Sequence, residues 1–453
     1  MEQTQGMMPQ KEEDKAFLWK NIGRLAWPCA VEQLFSCLIS TISTTLVSSI
    51  GKEAVNAVSI CNQPMYIPNV VLQAFNVGGT ALIARFLGMQ DKKNAKKACS
   101  QTLFLSMIIS LFAAVALYFG GGVIIRMLGA GDDYYGLACT YMRFVAVGLV
   151  FQSISTSVAA MLRGSGKTSL SMYFNILASI VNVVVGYLLI HVADLGVVGA
   201  GIAFVAAQAS GSMFALYLLF FRKDLDIHIT PAQVLHPQKE VIRRIGNVGF
   251  STALEQLALR IGMIIFTSQI VGLGTSEYAA HNITNNIDNY SLAFAMALSV
   301  ALTSLVGQNL GAGKPDLAEK YIKEALKIGL ICSSIFVGAF LLVPQWIARI
   351  FSNEQAVIDN IIKCLFMLAL VTPGQLLQIA ICGGLRGGGD TRWPLISSMT
   401  GILGVRTVLT LVFVQVLDLG LVGAWAAMAL DQNLRAFIIY RRYRSGKWKT
   451  IRV

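Results

Sequence analysis

Long apolar runs broken by short polar stretches fill the chain from residue 25 to residue 440. Twelve such runs stand out, the first at 25–50, the second at 55–87, the ninth at 325–348, the eleventh at 394–417 and the last at 420–440. Each holds about 20 residues or more, which at 1.5 Å per helical residue crosses a hydrocarbon core of ~30 Å. Inside a bilayer the backbone must satisfy its own hydrogen bonds, and a barrel strand needs only about 10 residues of alternating polarity. The pattern therefore predicts an all-α integral membrane protein of twelve transmembrane helices.

The chain also repeats itself. At an offset of 223, Glu32-Gln33-Leu34 falls on Glu255-Gln256-Leu257, Leu87-Gly88 on Leu310-Gly311, and Leu162-Arg163-Gly164 on Leu385-Arg386-Gly387. One residue further out of step, Asp194-Leu195-Gly196 falls on Asp418-Leu419-Gly420. Each copy holds six helices, an even number, so both enter from the same side and are related by a pseudo-twofold axis along the membrane normal. The expected organisation is an N-terminal segment at 1–24, an N-lobe at 25–221, a polar linker at 222–245 with Pro231 and Pro237, a C-lobe at 246–440 and a basic tail at 441–453.

Charge changes the picture in one respect. Charged residues are 13% of the chain against 55% hydrophobic, about half the share of charge in an ordinary soluble domain, which excludes a typical soluble enzyme. The net charge of +12 is not gathered as a nucleic-acid binder gathers it. Of the 36 Lys and Arg, 26 lie in the N-terminal segment, the even-numbered loops and the tail, which predicts both termini on the cytoplasmic side of the cell membrane. The cluster Lys92, Lys93, Lys96, Lys97 reads as part of that topology signal. Gly164-Ser165-Gly166-Lys167-Thr168 imitates the end of a phosphate-binding loop, but Met161 stands where its first Gly belongs and the repeat replaces the Lys with Asp390. Tight reversals between helices explain these glycines better, and with no nucleotide the energy has to come from a gradient.

The twin six-helix repeat, the Leu-Arg-Gly-x-Gly-x-Thr loops, Ala81–Gly88 closing the second span and Val306–Gly313 closing the eighth resemble the multidrug and toxic compound extrusion (MATE) family. The resemblance implies a cation-coupled antiporter that exports organic, often cationic, compounds through two lobes. In the family an Asp occurs in the outer part of the first span, where this chain reads Ile42-Ser43-Thr44, and one branch has an Asp in the tenth span, where this chain offers Thr372, Gln375 and Gln378.

An ionisable group in a bilayer costs at least ~2.5 kcal/mol, so each marks a candidate site. Glu32 and Glu255 occupy equivalent positions and are expected to face a central cavity, where carboxylates attract a cationic compound or take up Na⁺ or H⁺. The structural alternative is a buried carboxyl bonded to a neighbouring helix. In the eighth span His281, Asn285 and Asp288 share one face at i, i+4, i+7, which makes Asp288 a second ion ligand with Asn282 or Asn285 adding neutral oxygens. For the asparagines, bonding between helices serves equally well, and His281 fits an interfacial position. Asp431 and Arg435 are spaced to pair along the twelfth span, while Arg260 and Arg406 are available to neutralise Glu255 or Asp288 or to touch an anionic group of a substrate. Arg85 and Arg435 are expected to snorkel, and Pro28 is a candidate hinge. The expectation is a monomeric antiporter of organic cations, contacting lipid, coupled to Na⁺ or H⁺ and needing no cofactor, nucleotide or nucleic acid. The rival readings are a lipid-linked saccharide flippase of the same wider superfamily and a membrane-embedded enzyme.

Overall fold

The computed structural model describes residues 10–222 and 227–451, with side chains from Lys15 onward. The first nine residues of the N-terminal segment, 223–226 of the linker and 452–453 of the tail lie outside the described residues. Among the described residues there are twelve long helices and no strand. The first six are α1 (Gln10–Ser48), α2 (Lys52–Gly88), α3 (Lys92–Met127), α4 (Asp132–Gly164), α5 (Thr168–Tyr187) and α6 (Gly196–Phe221), and a short α7 (Pro231–Val234) lies in the linker. The second six are α8 (Lys239–Val271), α9 (Thr275–Gly311), α10 (Pro315–Leu342), α12 (Gln355–Gly387), a broken span containing α13 (Arg392–Ser398) and α14 (Thr407–Leu411), and α15 (Gly420–Arg444), with a short α11 (Pro344–Phe351) after α10.

Eleven of the described helices are long and apolar enough to cross a membrane. The one that falls short is α15, whose middle reads Asp431-Gln432-Asn433-Leu434-Arg435; those charges are buried against partners described below. The ninth span, expected as one run, is two helices, because Pro344 cannot donate the backbone bond that would continue α10. By contrast, α1 runs unbroken through Pro28.

The internal repeat extends to single hydrogen bonds. The Thr80 hydroxyl donates to the Ala160 carbonyl at 3.0 Å, and its counterpart Thr303 donates to the Gly383 carbonyl at 2.9 Å. At Gly164 a Cβ would press on the Thr80 carbonyl, and at Gly387 one would press on that of Thr303, so both glycines are required by close helix approach. The Asp-Leu-Gly turns match as well: Asp194 and Gly196 have φ of 50° and 52°, Asp418 and Gly420 51° and 54°. A π-helical turn precedes each, at Leu188–Val192 and Val412–Val416.

The change of offset from 223 to 224 also has a place in the structure. Between Thr391 and Asp418 the second copy holds one residue more than the first, and there alone its helix widens into a π-helical stretch, Met399–Arg406. A π-turn bonds i to i+5 and so absorbs an added residue without breaking the helix. The equivalent part of the first copy, within α5, is regular.

The chain forms two compact units whose limits fall inside α1 and α8: a first unit of Val31–Leu257, and a second of the described residues up to Ala30 and from Ala258. In the first unit, Leu82, Leu103, Met161 and Phe174 are packed at one end and Cys61, Met142 and Leu149 at the other. Neutral polar bonds tie its helices. Asn76 Oδ1 accepts from Ser106 and Ser157 at 3.3 and 3.1 Å, and the Ser110 and Ser153 hydroxyls are 2.8 Å apart. Ile227, Ile229 and Val234 of the linker join this core. The buried Gln101 side chain donates to the His236 carbonyl and accepts from the Gln238 amide.

In the second unit, Leu302, Ile322, Ile381 and Leu385 form one core with Leu18, Ile22 and Leu25 of α1. Phe266, Leu365, Leu368 and Trp425 form another. The tail folds back onto it. Trp448 is fully buried, donates to the Tyr443 carbonyl at 3.0 Å and covers Gly388, while Arg442 bonds Asp390 at 2.6 Å. These contacts explain why the second loop has Gly388 and Asp390 where the first has Ser165 and Lys167. Lys449 meets Glu319 at 2.6 Å and Asp316 at 3.3 Å, and the Glu319 carboxylate above all holds its ammonium above the usual lysine range.

Candidate ion and substrate site

The spacing of His281, Asn285 and Asp288 produces the face it predicts. Asn285 Nδ2 lies 2.8 Å from His281 Nε2, and Asp288 follows on the same side. Asp288 is 13 residues into α9, about 20 Å along its axis, and only 3% exposed. Its carboxylate accepts from the Ser291 hydroxyl at 2.7 Å and from Gln375 Nε2 of α12 at 3.1 Å. Both donors are neutral. The Gln375 Oε1 is buried without a hydrogen-bond partner, so a carboxylate and an amide oxygen are held together in the interior.

His281 is not interfacial. It is buried, with its ring edge-on to Phe266 and to Trp425 at 5.6 and 5.7 Å. Asn282 belongs to another face, exposed together with Asn286 and Asn289 at i, i+4, i+7. Amides facing hydrocarbon are costly, so this stripe marks a wetted side of the helix. In the first unit Ser59, Asn62, Gln63 and Gln73 of α2 are exposed likewise.

Arg406 makes its close ion pair with a different acid. It binds Asp431 through Nε at 2.9 Å and Nη2 at 2.7 Å, because the π-helical stretch ends on it and turns it toward α15. Arg435 does not snorkel; it is buried one turn along the same helix, 3.1 Å from the other Asp431 oxygen, and donates to Gln432 at 2.6 Å. Asp431 has no exposed surface. Gly401 makes the trio possible, since a Cβ there would overlap both Asp431 and Arg435. Arg406 also stands 5.5 Å over the Phe266 ring and 3.3 Å from the Met263 sulfur.

In the first unit Glu32 is held by two donors on one oxygen, Arg163 Nη2 at 2.6 Å and Asn175 Nδ2 at 2.8 Å. Arg163 lies 131 residues away in the Leu-Arg-Gly loop, where sequence reasoning found only a turn. The available signal was the joint duplication of Glu32 with Glu255 and of Arg163 with Arg386. Glu255 is buried on α8 within the first unit, and Arg260 is half-buried on α8 within the second. Among the described residues no three His, Cys, Asp or Glu are grouped to hold a metal ion.

The MatE family model matches residues 28–188 and again 251–412, two matches whose starts are 223 residues apart. The chain belongs to the MATE family. Members of this family are membrane transporters and not enzymes. The chain is similar to the "Probable multidrug resistance protein NorM" of Thermotoga maritima, 27% identical over 448 residues that cover 97% of this chain and 95% of that protein. It shares its fold with a MATE solved "in the bent conformation", with a TM-score of 0.89, 24% identity, and coverage of 94% and 95% of the two chains. It shares it equally with a MOP superfamily transporter from Pyrococcus furiosus whose "reverse polarity of binding pocket suggests different function", at a TM-score of 0.88, 24% identity, and 94% and 95% coverage.

Proposed function

We propose that this MATE protein is a secondary antiporter that extrudes lipophilic organic cations, as a monomer in the cell membrane, in exchange for Na⁺ or H⁺. One observation carries the reading. Of the buried acids whose partners are described above, Glu32 and Asp431 are matched by Arg, whereas Asp288 is bonded only by neutral donors. A buried carboxylate without a counter-ion beside it is the group that gains most from a mobile cation. Asp288, with the Gln375 oxygen and the Asn285 face, is the coupling site, and the burial of Glu255 on α8 supports its reading as a second acid of the transport path. A bound cation and a cationic substrate both neutralise acid, so they compete and drive each other's release. The basic segments support a cytoplasmic side for both termini.

The test is efflux of a fluorescent lipophilic cation from vesicles containing the full chain, with Na⁺ and pH gradients imposed separately. Export driven by one gradient, and lost in Asp288→Asn with protein level unchanged, is expected; coupled export by Asp288→Asn at the wild-type rate overturns the assignment. Arg406 and Arg435 supply the one observation that favours the other polarity, a flippase of anionic lipid-linked cargo. Export of a lipophilic anion with no export of the cation would establish that reading.

A further inference from the structure

The buried trio exists only in the second copy. At the local offset of 224, Arg406, Asp431 and Arg435 replace Asn182, Ala207 and Gly211. Three coordinated replacements, a one-residue insertion taken up as a π-helical stretch and a glycine kept bare at 401 all serve to bring two guanidinium groups onto one carboxylate. Counted alone, that cluster has one positive charge too many. A lone excess charge in an interior is costly, so structure of this kind needs a counterweight.

We propose that Asp288 is that counterweight, and that the trio in turn sets how firmly Asp288 holds the coupling cation; the inference rests on the reading of Asp288 given above. Arg406 lies over Phe266, Phe266 meets His281 edge-on, and His281 shares with Asp288 the buried face of α9. From the packed elements, α15 brings Asp431 and Arg435, the end of the π-helical stretch brings Arg406, α12 brings the neutral Gln375 and α9 itself brings His281. With Asp288 ionised the two Arg and two Asp balance. With a cation on Asp288 one positive charge is left over, which pushes the cation off again. Arg435 is thus a positioning residue for coupling: it keeps the site weak enough to unload.

The experiment compares Arg435→Gln, Arg435→Lys and Asp288→Asn in reconstituted vesicles, reading the concentration of the driving cation that gives half-maximal efflux. Arg435→Gln removes the surplus charge and should lower that concentration roughly tenfold, while Arg435→Lys keeps the charge and should stay within about twofold of wild type. Thermal unfolding of the purified full chain gives an independent reading. Asp288→Asn and Arg435→Gln should each lower the melting temperature, and the charge-balanced double variant should melt above both. If Arg435→Gln does not reach the membrane, the double variant should still do so. An unchanged cation requirement in Arg435→Gln, or additive losses or no recovery in the double variant, overturns the counterweight while leaving Asp288 as the coupling site. Coupled efflux by Asp288→Asn overturns the site itself.

Discussion

The two copies of the repeat agree in their backbones and differ in their buried charge. Thr80 and Thr303 reach the same carbonyl position, Gly164 and Gly387 permit the same close approach, and the Asp-Leu-Gly turns agree in φ to within a few degrees. In the first unit α2, α3 and α4 are tied by neutral groups, through Asn76, Ser106 and Ser157, and its one described buried ion pair is Glu32–Arg163. In the second the tie is ionic, through Arg406, Asp431 and Arg435. Helix packing is a demand on both copies, so its contacts stay duplicated. On the proposed reading, coupling to an ion needs one site only, which leaves its residues free to diverge between the copies.

Replacing Asp288 with Met, the residue at the first-copy position Met65, breaks the difference most directly. Coupled efflux should fall to the level of protein-free vesicles, measured at matched protein content. Next in size is Trp448→Ala, which empties a fully buried site where the tail packs on the second unit. It should cost ~3–5 kcal/mol, read as a large drop in the melting temperature of purified protein. Gly164→Ala and Gly387→Ala probe what the copies share: each should cost ~1–3 kcal/mol by forcing two helices apart. Equal losses would show both approaches under equal strain, and a neutral result at either glycine would refute the requirement. Smallest of all, Thr80→Val and Thr303→Val should each cost about 0.6 kcal/mol, the usual worth of a hydrogen bond between membrane helices. A marked inequality in calorimetry would mean that the copies no longer share load evenly.

How much of this was legible in the chain depends on distance along it. The spans follow from apolar length, the repeat from matched blocks, and the His281-Asn285-Asp288 face and the Asp431–Arg435 pair from helical periodicity. Partners far apart in sequence were not legible. Nothing local joins Glu32 to Arg163, or Asp288 to Gln375. The pairing of Arg406 with Asp431 is not legible locally, because its direction depends on a π-helical stretch, although the slip in offset from 223 to 224 records the extra residue. The break before Pro344 was hidden by the apolar residues on either side of it.

The buried Trp448 sets an order of events during synthesis. A ribosome delivers it 60 residues after Gly388, the residue it covers, which at 5–20 residues per second is a delay of roughly 3–12 s. Through that interval α13, α14 and α15 are synthesised while the loop beside Gly388 is still bare, and Asp390 lacks Arg442 until six residues before its end. The second bundle is therefore closed from its far end, and a nascent chain stopped at Ser445 would present an open seam to the cell's quality control for as long as it lasted.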